Sequence, residues 1–285
     1  VLYRILLGEF ASQRGELRLS AEAYADLATK TRDPGVARRA VELARYARQS
    51  ALALRNAQLW RELEPESVAA MQTLVSLLLA GGRVAEARPH LEAWLKRGPS
   101  EEVFGQLHGL LARQKDKQAA LDLIAELAAT HPALPEASFA VAQVAMQAGQ
   151  LPRALAALDE ALQLRPTWET AALFKAQALL RKDGEDAARA FLATYLQANP
   201  RAREVRLAYA KQLAREGRYG ESRSEFERLA LDAPSDPEAH FTLGLIAMQT
   251  NDLASARVAL LKALALEHPD ADSVRYYLGQ LEEAE

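Results

Sequence analysis

His90, His108, His131, His240 and His268 carry the readiest acid–base and metal-ligating chemistry in this 285-residue chain. No two of them stand at the spacing by which two imidazoles on one helix face hold a divalent ion. His131 and His268 each sit directly before a proline, and His108 reads as a packed or partly exposed structural side chain rather than a ligand. The chain has no cysteine, which excludes disulfides, thiol nucleophiles and thiolate-bound zinc; this suits an oxidising compartment without requiring one. Gly81-Gly82 is followed by Arg83-Val84, not by the Lys-Ser/Thr of a phosphate-cradling loop. There is no Gly-x-Ser-x-Gly elbow and no Gly-x-Gly-x-x-Gly turn after a strand. The carboxylates are spread over solvated helices and single out no acid–base pair. The expectation is a non-enzyme with no catalytic residues, metal or cofactor.

Composition points to what these residues are mounted on. The chain is 49% hydrophobic but only 6% aromatic, and alanine and leucine supply most of the apolar content. That mixture suits closely packed helices better than sheets, which favour β-branched and aromatic residues. A formal charge of −3 gives no overall attraction to nucleic acid. Residues 1–61 nevertheless hold 11 Lys/Arg against 6 Asp/Glu, including Arg38, Arg39, Arg45, Arg48 and Arg55. A solvated helix face is the first reading of that cluster, and an anionic contact the second. No apolar run approaches the ~18–20 residues that span a bilayer. The first residue is Val1, so the expectation is a trimmed or processed fragment of a longer chain.

Seven prolines recur as Pro65, Pro99, Pro132, Pro166, Pro200, Pro234 and Pro269, spaced by 34, 33, 34, 34, 34 and 35 residues. A constant period of this length signals a solenoid of stacked supersecondary units. Between prolines, two apolar-periodic halves are split by a turn residue: Gly82, Gly149, Gly184, Gly217 and Asn251, with Gly15 in a first unit closed by Arg32. Glycine and asparagine tolerate the left-handed conformation that ends a helix. Asp33-Pro34 and Asp236-Pro237 read as a capping aspartate followed by proline at the first helical position. The pattern predicts a single array of about eight helix-turn-helix units starting near 1, 34, 68, 101, 135, 169, 203 and 237. A truncated ninth unit follows over 272–285, which implies continuation past Glu285.

These units resemble the tetratricopeptide repeats, whose signature places Leu-Gly on the first helix, then Ala-x-x-x-Phe and a late proline. The clearest copies carry Leu243-Gly244, Ala256, Leu260, Ala263 and Pro269; Ala210, Leu213, Gly217, Tyr219, Ser222, Phe226 and Pro234; and Val141-Ala142, Gly149, Ala154, Leu158, Ala161 and Pro166. Lys175 departs from a usual leucine position, and His108 from a usual small one. The resemblance implies an all-α, right-handed superhelical solenoid. Gly8, Ala142, Ala210 and Gly244 would lie where paired helices come closest. It also implies that protein or peptide partners bind a concave face lined by the first helices. Carried onto this chain, the groove positions are Gln72, Phe139, Gln143, Met146, Leu173, Gln177, Leu180, Leu207, Lys211, Phe241, Leu245, Met248 and Tyr276. The expected surface is thus mostly apolar in the C-terminal half, with glutamines for a partner's backbone; packing between neighbouring first helices is the alternative for Phe139, Leu173 and Leu207. The occupant is another polypeptide, a further copy, or a downstream part of the same protein. The carboxylate clamp of co-chaperone repeats is absent, since Phe139, Gln143, Leu173 and Gln177 occupy its places.

A narrower likeness lies in the first two units, "LYRILLGEFASQRGELRLSAEAYADLATKTRDPGVARRAVELARYAR". Leu2-Tyr3-Arg4, Leu7, Glu9, Gly15, Tyr24 and Thr31-Arg32-Asp33-Pro34 resemble the outer-membrane tetratricopeptide lipoproteins of Gram-negative bacteria, and "YYLGQ" at 276–280 fits their later repeats. That resemblance implies a lipid anchor upstream of Val1 and a scaffold on the periplasmic side of the outer membrane. The partners it implies are a carboxyl-terminal processing protease and its peptidoglycan-hydrolase substrates. An assembly factor for a secretion, pilus or polysaccharide-export machine is the alternative.

Overall fold

A computed structural model describes residues 2–97, 100–112 and 114–284. The described residues form seventeen α-helices and no strand. They pair as α1 (Leu2–Gln13) with α2 (Leu17–Thr31), α3 (Pro34–Tyr46) with α4 (Ser50–Leu63), and α5 (Val68–Ala80) with α6 (Val84–Arg97). Next come α7 (Ser100–Leu111) with α8 (Lys117–Ala129), α9 (Pro135–Gln147) with α10 (Leu151–Leu164), and α11 (Glu169–Asp183) with α12 (Glu185–Ala198). The series closes with α13 (Arg203–Arg215) and α14 (Tyr219–Asp232), α15 (Pro237–Gln249) and α16 (Leu253–Ala265), and the single helix α17 (Ala271–Ala284). The chain divides into two compact units, residues 1–157 and 158–285, with the boundary inside α10.

Local chemistry explains where these helices start and stop. The Asp33 carboxylate accepts the Val36 amide at 2.9 Å with Pro34 in the first turn, and Asp236 accepts from Glu238 at 3.1 Å ahead of Pro237. Ser67, Asp116 and Asp252 cap α5, α8 and α16 in the same way. Gly15, Gly82, Gly149, Gly184, Gly217 and Asn251 all adopt positive φ at the turns where the sequence places them. Arg32, Arg48 and Glu267 also take this conformation, at φ of 49°, 55° and 58°, although nothing in their residue type favours it. Arg32 ends α2 in place of a proline, and its guanidinium meets Glu62 at 2.6 Å. Pro65, Pro132, Pro166, Pro200, Pro234 and Pro269 all fall between helices; Pro99 lies outside the described residues. Pro89, by contrast, sits inside α6.

In the first unit the helices pack in chain order from α1 to α6, with α7 and α8 both against α9. In the second unit α11 through α17 do the same, and α11 also touches α13. The core of each crossing is small. Ala21, Ala28, Ala37, Ala40, Ala44, Ala53 and Ala70 are fully buried around Tyr24, Leu27, Leu43 and Trp60. A Cβ on Gly8 would lie 2.6 Å from the Tyr24 ring, and one on Gly244 2.6 Å from the Leu260 side chain. Ala142 and Ala210 are fully buried. The contact recurs with a hydrogen bond: Ser20 Oγ donates to the Gly8 carbonyl and Ser222 Oγ to the Ala210 carbonyl, both at 2.8 Å and both twelve residues apart.

One repeat departs from the rest. The α7–α8 connection takes five residues, 112–116, where most pairs take three. α7 packs more extensively on α9 than on its own partner α8. A crevice of about 880 Å³ opens beside this connection, lined by Gly81, Val84, Arg88, Gln114, Asp116 and Leu123.

Helix glycines therefore fall into two kinds. Gly244 is packed against Leu260, whereas Gly105 and Gly109 have nothing within 4 Å of where a Cβ would be. Gly244→Val is expected to overpack the crossing and lower stability by about 1–3 kcal/mol. Gly105→Ala and Gly109→Ala should each raise it by about 1 kcal/mol through helix propensity. Urea unfolding followed by helicity checks both signs.

Candidate functional site

The first helices carry the side chains expected to meet a partner, and neighbouring helices determine how many are available. In the second unit Leu173 is half-buried against the cluster of Ala172, Leu192 and Tyr195, and Leu207 against Ala210, Phe226 and Leu229. Phe241 and Met248 pack against Ala247, Leu260 and Val274. The Phe241 ring lies 4.7 Å from His268 and 5.9 Å from Tyr277. In the first unit Phe139 and Met146 are buried, at 9% and 7% exposure. An open apolar stripe through these residues is therefore corrected: Phe139, Met146, Leu173, Leu207, Phe241 and Met248 are drawn into the apolar packing between helices. Gln143 and Leu245 are half-buried; Gln177, Leu180, Lys211 and Tyr276 are exposed. Tyr276 stacks edge-on against Tyr277 at 5.4 Å, and its hydroxyl accepts from Gln280 at 2.9 Å.

A different surface is open around Gln72. Its Nε2 donates to Gln106 Oε1 at 3.1 Å, between side chains 34 residues apart, which is one repeat period. These two line a groove of about 430 Å³ with Arg45, Thr73, Ser76, Trp94 and Gly109. The sequence had placed Gln72 in the groove; it carried no sign of Trp94 or Arg45, because α6 and the end of α3 enter only through packing.

Sequence irregularities acquire roles here. Lys175, at a leucine position, is ion-paired with Asp159 and lies 4.6 Å over the Phe191 ring. Nδ1 of His108 is 2.9 Å from the Gly105 carbonyl, an intrahelical contact. His240 and His268 are buried, with Nε2 at 3.0 Å from the Pro234 carbonyl and from Glu238 respectively. Among the described residues no three His, Cys, Asp or Glu side chains gather to hold a metal, and no helix is long and apolar enough to cross a membrane.

Charged contacts join neighbouring repeats at close to one period: Arg32–Glu62, Arg97–Glu66 and Arg153–Asp122 in the first unit, Arg203–Asp236 and Arg223–Asp252 in the second. The Glu169 carboxylate accepts the Glu204 and Val205 amides at 2.7 and 3.1 Å, so one repeat supplies the N-terminal cap of the next. Arg206, 5% exposed, is ion-paired with Glu225 and donates to the Pro200 carbonyl at 2.6 Å. Hydrogen bonds from Arg223, and then from Ser255, lower the Asp252 carboxyl from 3.8 to about 2.

Helix pairs that recur at one period and pack on their neighbours in chain order define a class, the helical-repeat proteins. The family model for the tetratricopeptide repeat matches residues 110–168, 207–272 and 241–285. The matched residues, 110–168 and 207–285, are tetratricopeptide repeats, units that generally serve as interaction scaffolds. The chain is 30% identical over 213 residues to the TPR repeat-containing protein PA4667 of Pseudomonas aeruginosa, a match that covers 73% of this chain. It spans only 35% of that relative's length. Similar solved structures include MamA from Desulfovibrio magneticus RS-1, 19% identical with a TM-score of 0.44, over 61% of this chain and 98% of that one. Another is YrrB, described as a TPR protein with an unusual peptide-binding site, 16% identical with a TM-score of 0.43, over 78% of this chain and 97% of that one.

The Asp252 contacts give a pH signature. A carboxyl lowered in the folded state stabilises it fully above the unfolded value, near 3.8, and contributes nothing below about 2. The α14–α16 link should therefore hold at pH 5 and weaken progressively between about pH 4 and 2. Asp252→Asn should lower stability at pH 7 and make this part of the acid loss disappear, as read from thermal melts across pH.

Proposed function

We propose that this chain is an adaptor that holds two polypeptides close together on the periplasmic side of the outer membrane. The partners proposed are a carboxyl-terminal processing protease and the peptidoglycan hydrolases it degrades. The observation that carries the adaptor reading is the chain-order packing of helix pairs whose first helices leave a polar groove open while most of the apolar positions are filled by the protein's own packing. Such a scaffold raises the local concentration of one partner near another and leaves bond cleavage to the enzyme it holds. The compartment and the two partners rest on the likeness of the first two repeats to outer-membrane tetratricopeptide lipoproteins.

The adaptor reading predicts a two-sided concentration dependence. Added to the protease and a folded hydrolase, the 285-residue chain should first accelerate cleavage; in excess it should slow it, as separate scaffold molecules come to hold the two partners. A short soluble peptide substrate, which needs no scaffold, should show neither phase. Absence of acceleration at every concentration would overturn the protease assignment. Stable association with secretion or export components instead would favour the assembly role.

A further inference from the structure

We propose that the crevice beside the α7–α8 connection binds a free single-chain carboxylic acid, its alkyl chain lying between α6 and α8 and its carboxylate meeting Lys115 and Gln114. The site is built from second helices and the turns before them, apart from the groove of the first helices, and it goes beyond the adaptor reading.

The crevice follows from the irregular repeat. The connection at 112–116 is longer than that of most pairs, and α7 packs on α9 more than on α8. An opening of about 880 Å³ is left between the Gly81–Gly82 turn with the start of α6 and the first turns of α8. That volume lies in the ~300–1,000 Å³ range of small-molecule sites. It is also well above the 430 Å³ of the groove at Gln72.

Its floor is apolar. Leu79 and Leu123 are 2% and 3% exposed, and Val84 and Ala119 are half-buried. Ala85, exposed on α6, is small enough to leave the entrance open. No aromatic side chain among the described residues lines the crevice. A flexible alkyl chain therefore suits it better than a planar ring, which gains from stacking.

The polar groups define the other end of the ligand. Gln114 is a crevice residue only 4% exposed, and its Nε2 donates to the Leu110 carbonyl at 3.4 Å, long for a hydrogen bond. The amide nitrogen carries a second N–H, which a carboxylate in the crevice accepts. Most charged groups of the lining are engaged within the protein. Arg88 is ion-paired with Glu126, Asp116 accepts the Ala119 amide at 2.9 Å, and Asp122 accepts from Gln118 and Arg153 at 2.8 and 3.3 Å. Lys115 is exposed and has no ion pair among the described residues. The charge left for a ligand is a cation, next in the chain to the buried amide, and it selects an anionic head. An acyl chain esterified into a lipid has no charge at its carbonyl end, so the ligand is the free acid.

The test uses the whole 285-residue chain with ¹³C-labelled methyl groups, reading the Val84 methyl signals, identified by their loss in Val84→Ala. The probes are octanoate, butyrate and methyl octanoate, each kept monomeric. Octanoate should shift the Val84 signals saturably. Butyrate has four fewer methylenes to bury and should bind at least about tenfold more weakly. Methyl octanoate lacks the charge and should bind at least about fivefold more weakly. Lys115→Gln should weaken octanoate about fivefold and leave methyl octanoate unchanged, a difference that unfolding would not produce. Ala85→Phe should abolish the octanoate shift with helicity retained, because the added ring fills the entrance from an exposed position. No saturable shift, equal affinity for octanoate and either comparator, or full octanoate binding by Ala85→Phe or Lys115→Gln would each overturn the assignment.

Discussion

The close approach of two helices within each pair is the constraint on which the structure depends. It requires a small residue on the first helix and a small one twelve positions later, as with Gly8 and Ser20, Ala210 and Ser222, and Gly244 and Ala256. Where the second residue is serine, its hydroxyl reaches the carbonyl at the crossing, so a buried polar group is satisfied by the contact that buried it. Connections of three residues then suffice, and those connections force left-handed residues at their apex. A bulky side chain at the crossing would separate the helices and strain the turn together. The extra length at 112–116 shows the converse: with a longer connection, α7 shifts its packing from α8 toward α9 and a crevice opens.

Each helix pair touches little beyond its neighbours in sequence, so stability accumulates by adjacent contacts rather than around one centre. Alanine-filled crossings supply closely spaced apolar contact but little area per residue. The charged links spaced by roughly one period add register: Arg203 meets Asp236, and Glu169 caps the helix that begins at Arg203. Exposed pairs of this kind contribute little energy individually. Arg206 is different, because its burial with Glu225 would leave an uncompensated charge if either partner were removed.

Much of this was legible in the sequence, for local reasons. Proline, glycine and capping aspartate act through their own backbone, so Asp33-Pro34, Asp236-Pro237 and the positive-φ glycines could be placed without knowing their surroundings. Arg48 and Glu267 could not, because their conformation is imposed by the turn and not by residue type. The apolar first-helix residues were harder still. Phe139 and Met146 carry the same periodic signal whether they face a partner or a neighbouring helix, and packing decided for the core. Lys175 read as a departure because its compensation, Asp159 with the Phe191 ring, lies on two other helices.

That outcome changes the kind of recognition this scaffold can perform. A broad apolar stripe would bind many partners through burial alone and discriminate poorly among them. Filling most of those positions with the protein's own packing leaves the amides of Gln72 and Gln106 and the hydroxyls of Thr73 and Ser76 lining the open groove. Such a surface gains little from area; it depends on matching each donor and acceptor, and an unmatched group lowers affinity directly. Individual contacts of this type are weak and reversible. Tight binding then has to come from several repeats acting together on one partner. The stability of the stack and its capacity to bind thus derive from the same feature: small residues bring helices close enough to absorb the apolar side chains and leave the polar ones to recognise partners.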